Sequence, residues 1–284
     1  MLSHVRLLCM ATLIISDIHA DIRALECILS IISDARFVGK YSKVERILNL
    51  GDTIDRGYHP REVIDKIREL KKSIPIVSLV GNHDEAFLYG HSVSGSDAKS
   101  REVHKDLGEY TLFLNDLPQF YIDNKNRILA VHGGPIDPNE LNGSWLYHRS
   151  WQRISSKSYL SSTGYHYTPM EAFDYVKRVY GGGYLVLCGH EHEEAAYSDS
   201  AGDILKSMSI ERSKYMGYEV ESKWVARNDK MSYLIRVGIS GPEGYRMSLG
   251  LDTSYFGLIW KPDKMERIGL FNFKLKHKQQ YISY

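Results

Sequence analysis

Five short apolar runs pace the first two-thirds of the chain. TLIIS (12–16), RILNL (46–50), PIVSLV (75–80), RILAV (127–131) and YLVLC (184–188) each have strand length. Stretches with helical spacing lie between the first three. Residues 21–35 place Ile22, Leu25, Ile28, Leu29 and Ile32 on one face, and 60–72 do the same with Val63, Ile64, Ile67 and Leu70 behind Pro60. This βαβ rhythm predicts an α/β core with a largely parallel sheet. Helical patterning returns around 99–117. Thr168-Pro169-Met170-Glu171 reads as a capping box opening a helix that stops at Gly181-Gly182-Gly183. After residue 193, the pieces 232–237, 254–260 and 270–276 predict a second, more antiparallel sheet. No repeat, low-complexity segment or linker interrupts residues 1–284, so a single domain is expected.

The residues that follow the five runs carry the chemistry. The first is followed by Asp17 and His19. The second leads into Gly51-Asp52 and Asp55-Arg56-Gly57, the third into Gly81-Asn82-His83-Asp84, the fourth into His132-Gly133-Gly134. The fifth ends in Gly189-His190-Glu191-His192. In open α/β sheets, ligands bind at the carboxyl ends of the strands, so these segments should meet in one cleft. Each residue also has an ordinary structural role open to it. Asp17 could cap the next helix, Asp52 and Asp55 could be turn residues, Asn82 or Asp84 could cap a helix at 85, and His132 could be a core histidine. All five ends holding such roles together is improbable. An extended backbone would point His190 and His192 to one side. The donors are carboxylates, imidazoles and an amide without thiolate, a set that suits Mn²⁺, Fe, Zn²⁺ or a similar first-row ion. They are too many for one tetrahedral ion and suit a pair about 3.5–4 Å apart.

D-x-H, GDTIDRG, GNHD, HGG and GHEH, in this order over residues 17–192, resemble the calcineurin-like metallophosphoesterases. The DRG and GNHD forms look closest to prokaryotic and bacteriophage protein phosphatases and to diadenosine tetraphosphatases. GHEH looks more like the broader phosphodiesterase branch, so no substrate is carried over from either. The resemblance implies a four-layer αββα sandwich of two mixed sheets with a dinuclear metal site at the strand ends. Asp17, His19 and His192 would bind one metal, and Asn82, His132 and His190 the other, with Asp52 bridging. His83 would be the general acid held by Asp55, Arg56 would grip a phosphate oxygen, and a metal-bound hydroxide would attack in line. Two divalent ions are implied, with Mn expected first and Fe, Zn or Ni as alternatives. A further phosphate-binding arginine has three candidates, Arg149, Arg153 and Arg178, and no motif selects among them.

Composition narrows the function. The net charge is +1 with 25% charged residues, without the basic excess of a nucleic-acid binder. A repair-type DNA nuclease, which shares this kind of metal centre, is therefore the weaker enzyme reading. A non-catalytic scaffold is weaker still, because such proteins tend to lose the acid histidine or ligands, and all are present here. Three cysteines, Cys9, Cys27 and Cys188, form neither a disulfide framework nor a thiolate site, and Cys188 should be core. A cytoplasmic setting is expected. The opening MLSHVRLLCM runs into the first strand without a cleavage pattern, so residues 1–10 are expected to be a tail, with Met10 an alternative start. No apolar stretch has the length of a membrane span. The interval 137–183 is expected to be an insertion over the substrate side. Its Tyr and Trp side chains should be core, with stacking on a nucleobase as the alternative. The substrate is expected to be a phosphomonoester, phosphodiester, nucleotide or phosphoprotein, and the sequence leaves the oligomeric state open.

Overall fold

The computed structural model describes residues 11–262 and 265–275. The expected tail at 1–10 and residue 276 lie outside these. In chain order the strands are β1 (Ala11–Ile15), β2 (Val44–Asn49), β3 (Ile76–Ser78), β4 (Phe120–Asp123), β5 (Ile128–Val131), β6 (Arg153–Ile154), β7 (Tyr159–Ser161) and β8 (Gly164–Tyr167). They continue with β9 (Leu185–Cys188), β10 (Ala195–Ser198), β11 (Gly202–Asp203), β12 (Ile210–Tyr215), β13 (Tyr218–Ala226), β14 (Tyr233–Arg236), β15 (Thr253–Trp260) and β16 (Arg267–Lys274).

The five early runs do not share one sheet. Three of them lie in a seven-stranded sheet of order β12-β13-β16-β15-β1-β2-β3, parallel only at β1–β2 and β2–β3. The other two lie in a six-stranded sheet of order β11-β10-β14-β9-β5-β4, parallel at β5–β9 and β9–β14. The late strands do not form a separate antiparallel sheet either, because they complete both. β15 pairs antiparallel with β1, and β14 pairs parallel with β9.

Residue parity explains the stacking. A strand sends alternate side chains to opposite faces. Ile14 therefore joins Leu48, Leu185, Leu187 and Ile235 in a cluster between the two sheets. Its neighbours Leu13 and Ile15 face outward onto helices α1 (Ile22–Ser33), α2 (Ala35–Tyr41) and α3 (Pro60–Lys71) through Leu25, Ile28, Phe37 and Val63. On the far side, Leu129, Val131, Val186 and Cys188 pack against Ala172, Phe173 and Val176. The result is helix, sheet, sheet, helix. A strand buried on both faces reads as a continuous apolar run, which is why five such runs stood out.

Between β3 and β4 run α4 (Asn82–Tyr89), α5 (Ala98–His104) and α6 (Tyr110–Asn115). The helix expected at 85 thus begins three residues earlier, with Asn82 in its first turn. α7 (Pro169–Tyr180) has the expected capping box, with Thr168 Oγ1 accepting from the Glu171 amide and Glu171 accepting from the Thr168 amide, and it stops at Gly181. Within 137–183, β6, β8 and β7 form a small third sheet. Trp151, Tyr167 and Tyr175 are buried there, but Trp145, Tyr147, Tyr165 and Tyr180 are half-buried and Tyr159 is exposed, so only part of the interval's aromatic set is core. No helix among the described residues is long and apolar enough to cross a membrane.

Candidate metal centre and active site

The loops after β1, β2, β3, β5 and β9 converge where the two sheets meet. The amides of Asp17 and His19 donate to the carbonyls of Gly51 and Asp52, at 2.9 Å each, and Gly189 donates to His132 at 2.7 Å. Left-handed backbone is concentrated here. Asp17, His19, Asp52, Asp55, Arg56, His190 and His192 all have φ between 47° and 74°. Such conformations are unfavourable for non-glycine residues and persist where surrounding structure over-determines them. The backbone at His190 and His192 is therefore not extended, and the expected reason for their convergence does not apply. They converge because each turns back on itself. Glycine is required beside them, since a methyl group at Gly189 would strike Ser16 Oγ and Asp17 Oδ2, and one at Gly81 would strike Asp52.

The side chains form overlapping donor sets. Asp17, His19 and His192 offer ligand atoms within 4.8 Å of one another, and so do Asp52, His132 and His190. Asn82 Oδ1 lies 3.2 Å from His132 Nε2, beside the second set. Asp52 Oδ2 is 3.3 Å from His132 Nε2 and 3.7 Å from His19 Nε2, between the two. His19 and His132 each turn Nδ1 to a backbone carbonyl, of Ile54 at 3.2 Å and of Leu50 at 2.9 Å, which leaves Nε2 facing the cluster.

Fit to cations can be judged from what these groups lack. Asp17 Oδ1, Asp52 Oδ2 and His190 Nε2 are buried and have no hydrogen-bond partner. Nitrogens of His19 and His192, and of His132 and His190, face each other at 3.2 Å. These buried carboxylate oxygens face only imidazoles, His132 Nε2 at 3.3 Å from Asp52 Oδ2 and His192 Nε2 at 3.5 Å from Asp17 Oδ1, and buried carboxylates are costly unless positive charge meets them. Burial, reinforced by Arg56, holds His19 well below the usual imidazole range, and burial with Arg153 does the same for His190. Burial and then His19 lower His192. These three rings are thus neutral with a lone pair to offer, the form that binds a metal. Burial pushes Asp52 upward, but His132, His83 and His19 together outweigh it and hold the carboxyl well below its usual range. Asp52, with Asp17 and Asp84, overcomes the burial of His132 and pushes it up to about 9. The donor set suits two divalent ions.

His83 stands beside this cluster. Its Nδ1 donates to Asp55 Oδ2 at 2.6 Å, and its ring lies edge-on to His19 with centroids 4.8 Å apart. Burial raises the Asp55 carboxyl, but His83 and the Ser96 hydroxyl together hold it below the usual range. A cavity of about 460 Å³ opens over the cluster, lined by Arg56, Asn82, His83, Arg153, His190 and His192 among others. Arg56 sits 3.2 Å from His192 Nε2, and its Nε has no partner.

Of the three candidate arginines, only Arg153 faces this cavity. Arg149 is buried and donates to Pro135 O at 2.7 Å and to the Tyr175 hydroxyl, and Arg178 is exposed and pairs with Glu140. The structural capping role open to Asp17 belongs instead to Asp21, which accepts from the Ala24 amide at 2.9 Å.

The sequence offered Asp84 as a possible helix cap and Glu191 as a residue facing away from the ligands, but not the ties between loops that these and Glu85 make. Asp84 accepts from the amides of Gly81, Thr53 and Ile54, joining the loops after β2 and β3. Glu85 accepts from Ser150 Oγ at 2.7 Å, Trp151 Nε1 at 3.0 Å and the Gln119 amide, tying α4 to residues 150–151. Glu191 accepts from the Ile154 amide and pairs with Arg236, so it turns away from the donor sets and fixes the strand that presents Arg153. The one available signal was an acidic residue directly after Asp84 and another between the paired histidines.

A two-sheet sandwich with clustered His and Asp donors at its strand ends is the architecture of a dinuclear metallohydrolase. The chain belongs to the calcineurin-like phosphoesterases, whose family profile matches residues 10–194. Members hydrolyse phosphoric esters with a dinuclear metal centre. An uncharacterized protein of Methanocaldococcus jannaschii, MJ0912, is 27% identical over 215 residues, 72% of either chain. Among solved structures, a metallophosphoesterase from Sphaerobacter thermophilus superposes with a TM-score of 0.57 at 21% identity, covering 94% of this chain and 89% of that one. The hypothetical protein PH1004 from Pyrococcus horikoshii OT3 gives 0.53 at 16%, covering 95% and 89%. Both show the shared fold.

Proposed function

We propose that this chain hydrolyses small phosphoesters or nucleotides by in-line displacement, with His83 as general acid and Mn²⁺ as the metal. The observation that carries this reading is the 2.6 Å His83–Asp55 pair beside two complete donor sets. Asp17, His19 and His192 would hold one ion, and Asn82, His132 and His190 the other, and Asp52 would contribute its carboxylate to the pair. The chemistry such a pair of ions supplies when bound is acidification of a water and neutralisation of phosphoryl charge. Arg56 and Arg153, which both line the cavity, grip the phosphate oxygens as planar donor forks suited to phosphate. Asp55 keeps the His83 Nδ1–H in place, so that a protonated ring presents its second proton from Nε2 to the leaving oxygen. The cavity of about 460 Å³ is of small-molecule size.

The test is a panel of mono- and diesters, dinucleoside polyphosphates, phosphopeptides and DNA, each with Mn²⁺, Ni²⁺, Zn²⁺ and Mg²⁺. His83→Ala should retain its metal by elemental analysis and lose about 10²–10⁴-fold in kcat, the usual worth of a general acid. Full activity in that variant would overturn the acid assignment. Cleavage of DNA alone would favour the nuclease.

A further inference from the structure

A second cavity, of about 410 Å³, adjoins His83 and Asp55. His83 is the one side chain that lines both this cavity and the one over the donor sets. Ala86, Phe87 and Val93 give it an apolar wall, and Arg101 and Lys105 stand at its rim. The two cations share a helical face with His104, at positions i, i+3 and i+4. That face is fixed toward the site, because His104 Nε2 accepts the Asp55 amide at 2.8 Å while its Nδ1 donates to Ser100 O at 2.7 Å. The charge is one-sided. Asp55 is the only acid among the described lining residues, and His83 and Ser96 occupy its oxygens. Arg101 donates once, to Ser96 O at 2.5 Å, and the Lys105 ammonium has no partner among the described residues.

On the reading of His83 as general acid, on which this inference rests, the leaving group must lie on the His83 side. The bond from water oxygen to phosphorus forms as the ester phosphorus–oxygen bond breaks. The leaving oxygen takes the His83 proton, the attacking water gives up a proton to bulk solvent, and solvent returns a proton to the imidazole. We propose that this second cavity, which His83 shares with the cavity over the donor sets, receives the leaving group, and that Arg101 and Lys105 select leaving groups carrying an apolar body and their own negative charge.

The experiment compares phenyl phosphate with 3-carboxyphenyl phosphate, a pair of closely matched leaving-group basicity, on the Mn²⁺-loaded full chain. The unaltered protein should favour the charged ester in kcat/KM, and the preference should shrink as salt rises. Exposed ion pairs are each worth a few-fold. Lys105→Ala or Arg101→Gln should therefore lower the ratio of the two kcat/KM values about fivefold, and the double variant about twentyfold. Lys105→Glu should lower the ratio further than Lys105→Ala. Hydrolysis of both esters without preference, or a ratio that ignores the substitutions, would overturn the proposal while leaving the hydrolase reading intact. Hydrolysis of neither ester by a protein that cleaves other members of the panel above would also overturn the proposal, whereas inactivity on the whole panel would overturn the hydrolase reading itself.

Discussion

His190 and His192 reach the site through left-handed backbone, at φ 74° and 64°. No spacing rule announces such a conformation, and parity along a strand gave the right cleft for the wrong reason. What the sequence did display was the glycine before them. Gly189 lets Ser16 and Asp17 approach the backbone closely. Gly189→Ala should therefore strip metal from the protein, read by elemental analysis, while the circular dichroism stays folded. Retention of both metals would show that the loop yields. Glu85 makes a different prediction. Its carboxylate collects donors from Ser150, Trp151 and Gln119 in a nearly closed setting. Buried hydrogen bonds to a charged group are worth about 1.5–3 kcal/mol, so Glu85→Ala should lower stability to urea by about 3 kcal/mol. An unchanged midpoint would remove Glu85 from the role of tie.

At the scale of elements, apolar periodicity identified β1, β2, β5, β9, α1 and α3, and a capping box with a glycine stop identified α7, all with small errors at their ends. α7 carried the strongest local signal, because Thr168, Pro169 and Glu171 satisfy its first turn from within four residues. Loss of an N-cap side chain costs about 1 kcal/mol. Thr168→Ala should thus destabilise the protein by that amount in urea unfolding, and an effect below about 0.3 kcal/mol would assign the helix start to Pro169 and packing instead. The elements that were misplaced are those without their own periodicity. α4 begins at Asn82 because Asp84 folds back onto the Gly81 amide at 2.9 Å and onto the loop after β2. That partner is about thirty residues away in sequence, so no local pattern could signal it.

Over the whole molecule, the donor sets matter for stability as well as chemistry. Asp17 Oδ1 and Asp52 Oδ2 are buried without hydrogen-bond partners, and cations that bind only the folded chain stabilise it by mass action. Free Mn²⁺ at a hundredfold excess over its Kd should add about 2.7 kcal/mol. Thermal unfolding followed with a chelator and then with rising Mn²⁺ checks this, and a Tm indifferent to both would mean the cluster does not hold metal. The sequence by itself determined the strands buried on both faces, the helices that cover them and the type of residue at each strand end. Those properties are local, since they depend on spacing and on glycine beside a polar side chain. Only the tertiary structure decided that the five runs divide three and two between stacked sheets. It alone set Arg153 rather than Arg149 or Arg178 at the cavity, and His83 in the lining of two cavities. Each of these depends on which distant segments share a face, and a one-dimensional pattern carries no record of that pairing.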